Sequence, residues 1–399
     1  MRRAFISNFD FEHQLAGVTR KGTVQLARDL SATWLAIAKP GDVIEGLLDV
    51  DDEFEAELAR LGRTLDGVGT TAEQVGRSDS ETDSDTSLEP TPWGWSSEIH
   101  EDRSPRATRP IPDPRFVAKV NSRRYSHDLA RILKCRLPSA SLVQTPREFR
   151  YSARDLAEHE RGWIAKAEFS MSSRERILSR EAPTDEHSKW VENRISENGA
   201  VFVEPLLDIV EEAAAQFEIS KDGNIERLGM TGLLTTDQGR FAGIWLRRAS
   251  EYEDQFVAAE QVAFAAAEKV ADAGYFGPLG IDMACYMHRE QLRVRPLQDI
   301  NARFTMGRLA LGYSDVLMPD EQAMWLFVPW TQVGCARKFM SDVRDVLAND
   351  VRAYRTSPWC VNGEDVRLGT VLLAGSHAAS LTSTAAAIQE LCDRRLRIV

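Results

Sequence analysis

The sequence predicts a protein of mixed α/β and α+β class that is divided into two or three domains. Its 399 residues exceed what a single hydrophobic core usually accommodates. Near the start, short apolar segments at Ala4–Asn8 and Val43–Ile44 flank a helical pattern over Lys21–Ile37, and this alternation is typical of an α/β unit. Further along, strand patterns joined by short polar turns predict β-hairpins.

Apolar periodicity predicts the elements of the remaining chain. Lys221-Asp222-Gly223-Asn224 is a strong turn signal between two strand patterns, and Gly274 is placed to end a long amphipathic helix. The predicted elements are a helix at 126–133, strands at 163–166 and 200–207, a hairpin of 217–220 with 225–228, a helix at 251–273, strands at 279–287 and 292–300, a helix at 336–348, a strand near 371–373 and a last helix from about 383.

Composition and charge are those of an ordinary globular protein. Hydrophobic residues make up 43% and charged residues 28% of the chain. The net charge of −12 argues against a dedicated nucleic-acid surface, which needs a basic stripe. No apolar stretch reaches the length needed to span a bilayer, and no signal-like run precedes His13. The five cysteines are scattered without CxxC spacing, so we expect reduced thiols, a cytoplasmic location and no structural zinc.

The segment Asp299-Ile300-Asn301-Ala302-Arg303 carries the strongest chemical signal. Because strand side chains alternate, Asp299, Asn301 and Arg303 are predicted on one face, with Arg295 preceding them in the same phase. Asp282 lies on the preceding predicted strand, and pairing of the two strands would bring its carboxylate close to Asp299. Two carboxylates and an amide oxygen suit Mg²⁺, and a nearby arginine would balance charge on a phosphoryl or acyl group.

This pattern resembles the ATP-grasp superfamily, whose last sheet carries an acidic residue followed by Glu-x-Asn-x-Arg; here Asp299 replaces the more usual Glu. The string from Gly280 to Asp282 and from Asn301 to Gly307 is similar to a bacterial branch with a preceding pre-ATP-grasp domain. The resemblance implies a Rossmann-like pre-ATP-grasp domain followed by a two-lobed ATP-grasp fold. The implied segments are a pre-ATP-grasp domain at 1–115 with a disordered acidic insertion at about 69–91, a central lobe at 116–190, a C-terminal lobe at 191–312, and an α/β tail at 313–399 that completes the C-terminal region.

Two earlier segments resemble the phosphate-binding parts of the superfamily. Lys166 ends a predicted strand, and the Ser-rich run that follows it resembles the loop that covers the phosphates, with Ser173 where related sequences have glycine. The resemblance implies that Lys166 holds the α- and β-phosphates and that Ser172, Ser173 and Arg176 contact the nucleotide. The segment 120–124 resembles the entry to the central lobe, where a basic residue reaches the phosphates; Arg123 is preferred there over Arg124 and Lys119.

The segment 201–207 resembles the hinge strand that clasps adenine. The resemblance implies that its backbone pairs with the base edge, around Leu206, and that Glu204 lies near adenine or ribose. The acidic residue that follows and meets ribose or metal would be Glu212 or, as an alternative, Glu211.

The resemblance implies an ATP-dependent ligase that activates a carboxylate as an acyl phosphate and joins it to an amine or thiol. ATP and Mg²⁺ are the expected cofactors, with Asp282, Asp299 and Asn301 as metal ligands and Arg303 and Lys166 as catalytic residues. Small-molecule carboxylates and amines are the expected partners, without nucleic acid or membrane, and a homodimer is implied. Two alternatives remain open: a small-molecule kinase on the same fold, and a nucleotide-binding regulatory or scaffold protein without turnover.

Overall fold

The computed structural model describes residues 2–18, 21–47, 49–65, 68–69, 88–159, 161–169, 175–248, 252, 254–330 and 336–397. Within these ranges the chain forms a three-stranded, a four-stranded and a nine-stranded sheet, together with a two-stranded ribbon. Among the helices in these ranges, none has the length and apolar character required to cross a membrane. The acidic run at 70–87, predicted to be disordered, lies outside the described residues.

The N-terminal domain is a small parallel sheet with helices between its strands, as the alternation predicted. Strand β1 is central and pairs in parallel with β2 and β3, and Phe5 on β1 stacks on Trp34 with ring centroids 4.6 Å apart. The predicted insertion is wrong for residues 88–91, because they pair with β1 as part of β3. The elements are β1 Arg2–Ile6, α1 Phe11–Leu15, α2 Thr23–Ser31, a 3-10 turn at Ala32–Ala36, β2 Val43–Ile44, α3 Asp52–Arg60, β3 Leu88–Pro92 and α4 Ser97–Arg103.

The small lobe is a four-stranded antiparallel sheet in the order β4-β7-β5-β6 with its own apolar core. Its last strand, β7, hydrogen-bonds to β4 and β5, so the lobe extends beyond the predicted boundary at 190. Helices α5 and α6, predicted to belong to it, instead bury Val117 and Leu129 in the main core. The elements are α5 Pro114–Asn121, α6 Arg123–Ile132, β4 Ser141–Val143, α7 Pro146–Leu156, β5 Trp163–Ala167, β6 Arg176–Ser179, α8 Asp185–Asn198 and β7 Val201–Pro205.

The nine-stranded sheet contains both predicted hairpins, β8–β9 and β11–β12, each longer than predicted. Helix α9 lies on β8, β11 and β12 through buried alanines, whose small side chains allow close approach. The elements up to residue 310 are β8 Asp208–Ile219, β9 Ile225–Thr236, β10 Phe241–Leu246, α9 Asp254–Asp272, β11 Gly277–His288, β12 Gln291–Asn301 and α10 Met306–Ala310.

The tail extends the same sheet, which has the strand order β12-β11-β8-β9-β10-β13-β17-β14, and its last strand β18 returns to pair with β9. Trp325 on β13 and Leu372 on β17 are fully buried in the main core, so residues beyond 312 are continuous with the preceding sheet. The elements are β13 Gln322–Pro329, α11 Ala336–Val346, β14 Arg352–Arg355, β15 Cys360–Val361, β16 Glu364–Asp365, β17 Leu368–Gly375, α12 Ala378–Glu390 and β18 Leu396–Arg397.

A buried ion pair joins the N-terminal domain to the tail. The Arg355 guanidinium on β14, whose side chain is 2% exposed, donates to both oxygens of Asp51 at 2.7 and 3.1 Å. Asp51 also caps α3 through the N–H of Phe54 and accepts from the N–H of Trp359. One carboxylate therefore holds together a helix start, a strand and a loop that lie far apart in sequence.

The substitution Asp51→Asn tests this contact. It keeps a capping oxygen but leaves the Arg355 charge buried without its counterion, so we expect a loss of about 3 kcal/mol in the free energy of unfolding. Urea denaturation measures the loss. The control Arg115→Ala removes an ion pair whose arginine is 85% exposed and should leave stability nearly unchanged. Equal effects of the two changes would contradict the interpretation.

Candidate functional site

A cleft of about 1500 Å³ lies over one face of the nine-stranded sheet. Its walls come from all parts of the fold: Glu12 and Trp93 from the N-terminal domain, Lys166 and Arg176 from the small lobe, and Asp282 from the large sheet. Pockets for one small molecule usually measure about 300–1,000 Å³, so this cleft has room for more than one ligand.

The two predicted carboxylates face each other across the β11–β12 hairpin. Asp282 and Asp299 are direct register partners, and a bulge follows between Asp282 and Ala284. The Asn301 side-chain amide donates to Asp282 Oδ2 at 3.0 Å. Burial, together with the neighbouring Asp299 charge, raises the pKa of Asp282 to about 7. Pairing of these strands and the approach of the two aspartates are thus confirmed.

The donor set fits a divalent cation that prefers oxygen. A buried carboxylate facing a second one is costly unless a cation offsets the charge. Among the described residues, this site included, no group of three or more His, Cys, Asp or Glu side chains forms a metal cluster; the donors here are two carboxylates and an amide. Asp282, Asp299 and, after rotation of its amide, Asn301 would hold Mg²⁺, which takes its other ligands from water and phosphate oxygens.

Arg123 lies beside this pair. Ser122 caps α6, and the first residue of the helix, Arg123, donates to Asp299 Oδ2 at 2.9 Å and to the Ala167 carbonyl at 2.6 Å. The rejected alternatives point elsewhere: Arg124 pairs with a glutamate of the small lobe at 3.5 Å, and the Lys119 ammonium lies 5.9 Å from the centre of an aromatic ring. Of these three residues, the structure places Arg123 in the cleft wall.

Lys166, Glu204 and Arg295 form a buried triad that the sequence did not predict. The Glu204 carboxylate forms an ion pair with the Lys166 ammonium and accepts from Arg295 at 2.9 and 3.1 Å. Burial alone would raise the pKa of Glu204, but the two cations outweigh it and hold that pKa well below its usual range. Glu204 was expected beside adenine or ribose, and this stays a prediction. The structure adds that both of its oxygens are engaged by cations from β5 and β12.

The hinge between β7 and β8 also differs from the expectation in detail. Leu206 lines the cleft, but its N–H donates to the Gly162 carbonyl at 2.9 Å, so that N–H is not available to a base edge. Of the two alternative acidic residues, Glu212 lines the cleft and accepts from Gln298 at 3.0 Å. Glu211 instead forms an ion pair with Arg247.

The phosphate-covering loop is described only at its end. Ser172 and Ser173, both predicted to contact nucleotide, lie outside the described residues. Arg176, at the start of β6, donates to the Gln238 carbonyl in the β9–β10 turn at 3.0 Å. Its guanidinium therefore reaches across the cleft from the small lobe to the large sheet.

Arg303 connects the carboxylate pair to the N-terminal domain. It donates to Asn301 Oδ1 at 3.0 Å, forms an ion pair with Glu12 and lies 5.4 Å from the centre of the Trp93 ring. No sequence motif marked Glu12. The signal that could have marked Glu12 is its position in the chain, because it follows the carboxyl end of β1, where ligands of parallel α/β sheets usually bind.

Comparison with known proteins decides the fold. No protein-family model and no curated protein sequence matches the chain. It is similar to an ADP complex of N5-carboxyaminoimidazole ribonucleotide synthetase (TM-score 0.56, 10% identity, covering 98% of this chain and 97% of that chain). It is also similar to N5-carboxyaminoimidazole synthase of Aspergillus clavatus (TM-score 0.54, 11% identity, covering 98% of this chain and 99% of that chain). A third similar structure is biotin carboxylase of Campylobacter jejuni (TM-score 0.55, 12% identity, covering 99% of this chain and 92% of that chain). The chain has the ATP-grasp fold.

The ATP-grasp fold thus extends over nearly the whole chain, including the N-terminal sheet and the tail. The predicted fold class is confirmed although about one residue in ten is identical to these structures. The polar residues of the cleft include those that the sequence motifs marked in the small lobe, the hinge and the β11–β12 hairpin, together with others from the N-terminal domain, the β9–β10 turn and the tail.

The raised pKa of Asp282 predicts a pH-dependent cost to stability. The folded protein binds this proton more tightly than the unfolded chain does, so stability falls as pH rises from about 4 towards 7. Asp282→Asn removes the cost, so it should stabilise the protein in EDTA at both pH values, and by on the order of 2 kcal/mol more at pH 8 than at pH 5.

Urea denaturation at the two pH values measures the gain. Asp272→Asn, at a largely exposed aspartate on α9, is the matched control and should leave stability nearly unchanged at both. The same gain for Asp282→Asn at pH 5 and pH 8 would rule out ionisation of Asp282 as the cause.

Proposed function

We propose that the protein is an ATP-dependent ligase that activates a small carboxylate as an acyl phosphate and joins it to an amine or thiol. The observation that carries this proposal is the opposed pair Asp282 and Asp299, with Asn301 beside it and Arg123 bound to it, in a cleft of an ATP-grasp fold. Such a site suits phosphoryl transfer, which depends on positioning and on neutralisation of charge.

Adenine would lie at the hinge and the triphosphate would extend to the carboxylate pair. Ile164, Leu178 and Leu206 give the hinge end of the cleft an apolar lining that suits a base. Lys166 enters from the small lobe and Arg123 from the start of α6, and Lys166 would exchange Glu204 for a phosphate oxygen. Mg²⁺ held by Asp282, Asp299 and Asn301 would neutralise the β- and γ-phosphate oxygens.

The chemistry then proceeds in two transfers. A substrate carboxylate oxygen attacks the γ-phosphorus and ADP leaves; the nucleophile next attacks the acyl carbon, phosphate leaves, and the attacking nitrogen or sulfur loses its proton. Arg303 would stabilise the acyl phosphate and the tetrahedral intermediate by donating to their oxygens. Glu12 and Asn301, which bind this guanidinium, would fix its orientation.

The structural neighbours support nucleotide and small-substrate binding in this fold. The Aspergillus clavatus synthase was solved with ADP and an aminoimidazole ribonucleotide. A biotin carboxylase domain of Hydrogenobacter thermophilus 2-oxoglutarate carboxylase (TM-score 0.51, 11% identity, covering 94% of this chain and 86% of that chain) was solved as a dimer with MgADP and bicarbonate. By analogy we extend the proposal to ATP and Mg²⁺ as cofactors, a homodimer and a cytoplasmic location.

One observation favours the regulatory alternative. The Lys166 ammonium is already engaged by Glu204, so nucleotide binding must compete with a buried ion pair. If nucleotide binds while Lys166 stays paired with Glu204, this cation is withheld from the phosphates, and such a protein would bind nucleotide without turnover. A kinase on the same fold would release a phosphorylated acid without any nucleophile.

The proposal is tested by measuring the release of ADP and of phosphate from Mg-ATP. Pools of carboxylic acids and of amines are offered together and separately. A ligase releases both products only when an acid and a nucleophile are present together. Release of ADP without free phosphate, with the acid alone, indicates the kinase, and ATP binding without release of either product from any pool indicates the regulatory protein.

Asp299→Ala tests the metal site in the same assay. Loss of one carboxylate should reduce kcat/KM on the order of 100-fold or more and remove the Mg²⁺ dependence of ATP affinity. Asp272→Ala serves as the control and should match the wild type. Unchanged Mg²⁺-dependent ATP affinity in Asp299→Ala would contradict the assignment of this residue as a ligand.

A further inference from the structure

Guanidinium groups from three separate elements converge in the cleft beside the β9–β10 turn. Arg176 begins β6 in the small lobe, Arg240 lies in the turn itself, and Arg397 lies on β18 at the end of the tail. All three line the cleft. We name them the arginine cluster. On a chain with a net charge of −12, such a concentration of positive charge is a local feature of the cleft.

The turn brings two of these groups against one glycine. Nitrogen atoms of Arg176 and Arg397 lie 3.4 and 3.6 Å from the position that a Cβ atom on Gly239 would occupy. Gly239 has a φ of +67°, which favours glycine, and its missing side chain leaves room for both groups. Burial, and the like charges of Arg397 and Arg240, lower the pKa of Arg176, whereas Glu212 opposes this shift.

The acidic residues nearby only partly offset the cluster. Glu212 lies 4.0 Å from Arg397 and also accepts a hydrogen bond from Gln298. Asp237 and Asp393 line the rim of the cleft, where both are exposed. The tail brings two further arginines to this rim, Arg394 and Arg395, of which the former donates to the carbonyls of two phenylalanines. Positive charge is therefore in excess at this end of the cleft.

The arginine cluster is displaced from the carboxylate pair in two directions. Across the sheet, β9 lies two strands from β11, which corresponds to about 10 Å. Along the strands, Arg397 pairs with Thr235, four residues from Thr231, which lies across Ala214 from Asp282, and this adds about 13 Å. Arg123 and Lys166, which are expected at the triphosphate, are close to β12 through Asp299 and Arg295. Arg176, for which the resemblance also implied a nucleotide contact, instead lies with Arg397 at Gly239.

We propose that the arginine cluster binds an anionic group, phosphate or carboxylate, that the substrate carries in addition to the carboxylate that is activated. This inference rests on the proposed ligase function. Guanidinium forks match both kinds of anion with paired hydrogen bonds, and an anion here would relieve the repulsion among the three arginines. The substrate would place its reacting carboxylate at the Asp282–Asp299 pair and its second anionic group roughly 15 Å away.

Calorimetric titration of the protein saturated with Mg²⁺ and a non-hydrolysable ATP analogue tests the proposal. Inorganic phosphate and succinate are the two probes, and tighter binding of one identifies the class of the second anionic group. We expect binding to the wild type and at least a tenfold weaker Kd in the double variant Arg240→Gln/Arg397→Gln. Arg293→Gln, an exposed arginine of β12 that donates to Gln291, is the matched control and should bind as the wild type does. Thermal denaturation checks that each variant is folded.

Three results would overturn the proposal: no binding of either probe, equal binding by the double variant, or binding to nucleotide-free protein that the ATP analogue abolishes. The last result would assign the arginine cluster to the triphosphate. A different result would separate the two proposals. If the ATP analogue does not bind, but the nucleotide-free protein still binds an anion through Arg240 and Arg397, the ligase function is rejected and the anion site is retained.

Discussion

The opposition of Asp282 and Asp299 across one hairpin is the constraint on which the cleft depends. Two carboxylates at a register pair, one of them buried, require positive charge or donors nearby. The structure supplies Arg123 on one side and Asn301 with Arg303 on the other. Since these groups come from a helix, a strand and a loop, satisfying the carboxylates also fixes how those elements meet.

The small lobe is connected to this centre mainly by charge. Its apolar core is separate from the main core, which includes the N-terminal domain and the tail. Across the cleft, Glu204 pairs with Arg295 and Arg176 donates to the β9–β10 turn, while Arg123 of α6 donates to the Ala167 carbonyl at the end of β5. Ionic contacts of this kind respond to a charged ligand more readily than apolar packing does, because a phosphate can replace a carboxylate as the partner of a cation. The proposed nucleotide site and the lobe interface therefore share the same side chains.

The tail is part of the functional face as well as of the sheet. Strands β13, β14 and β17 widen the sheet, and β18 returns to β9 and brings arginines to the rim of the cleft. The ion pair of Asp51 with Arg355 ties the same tail to the N-terminal domain. Both ends of the chain thus enclose the cleft that the central segments line.

The sequence by itself determined the carboxylate centre and part of the elements, whereas helices α7 and α8 and strands β10 and β13 were not predicted. Strand alternation and turn chemistry are local, so Asp282, Asp299 and Asn301 could be placed together from a hairpin whose strands are joined by a short turn. The tertiary structure alone decided the partners of Glu204, the contact of Glu12 with Arg303, the division of the cores, and the arginine cluster. Those pairings join residues up to 291 positions apart, such as Glu12 and Arg303, and they depend on how separate elements pack, which no local periodicity encodes.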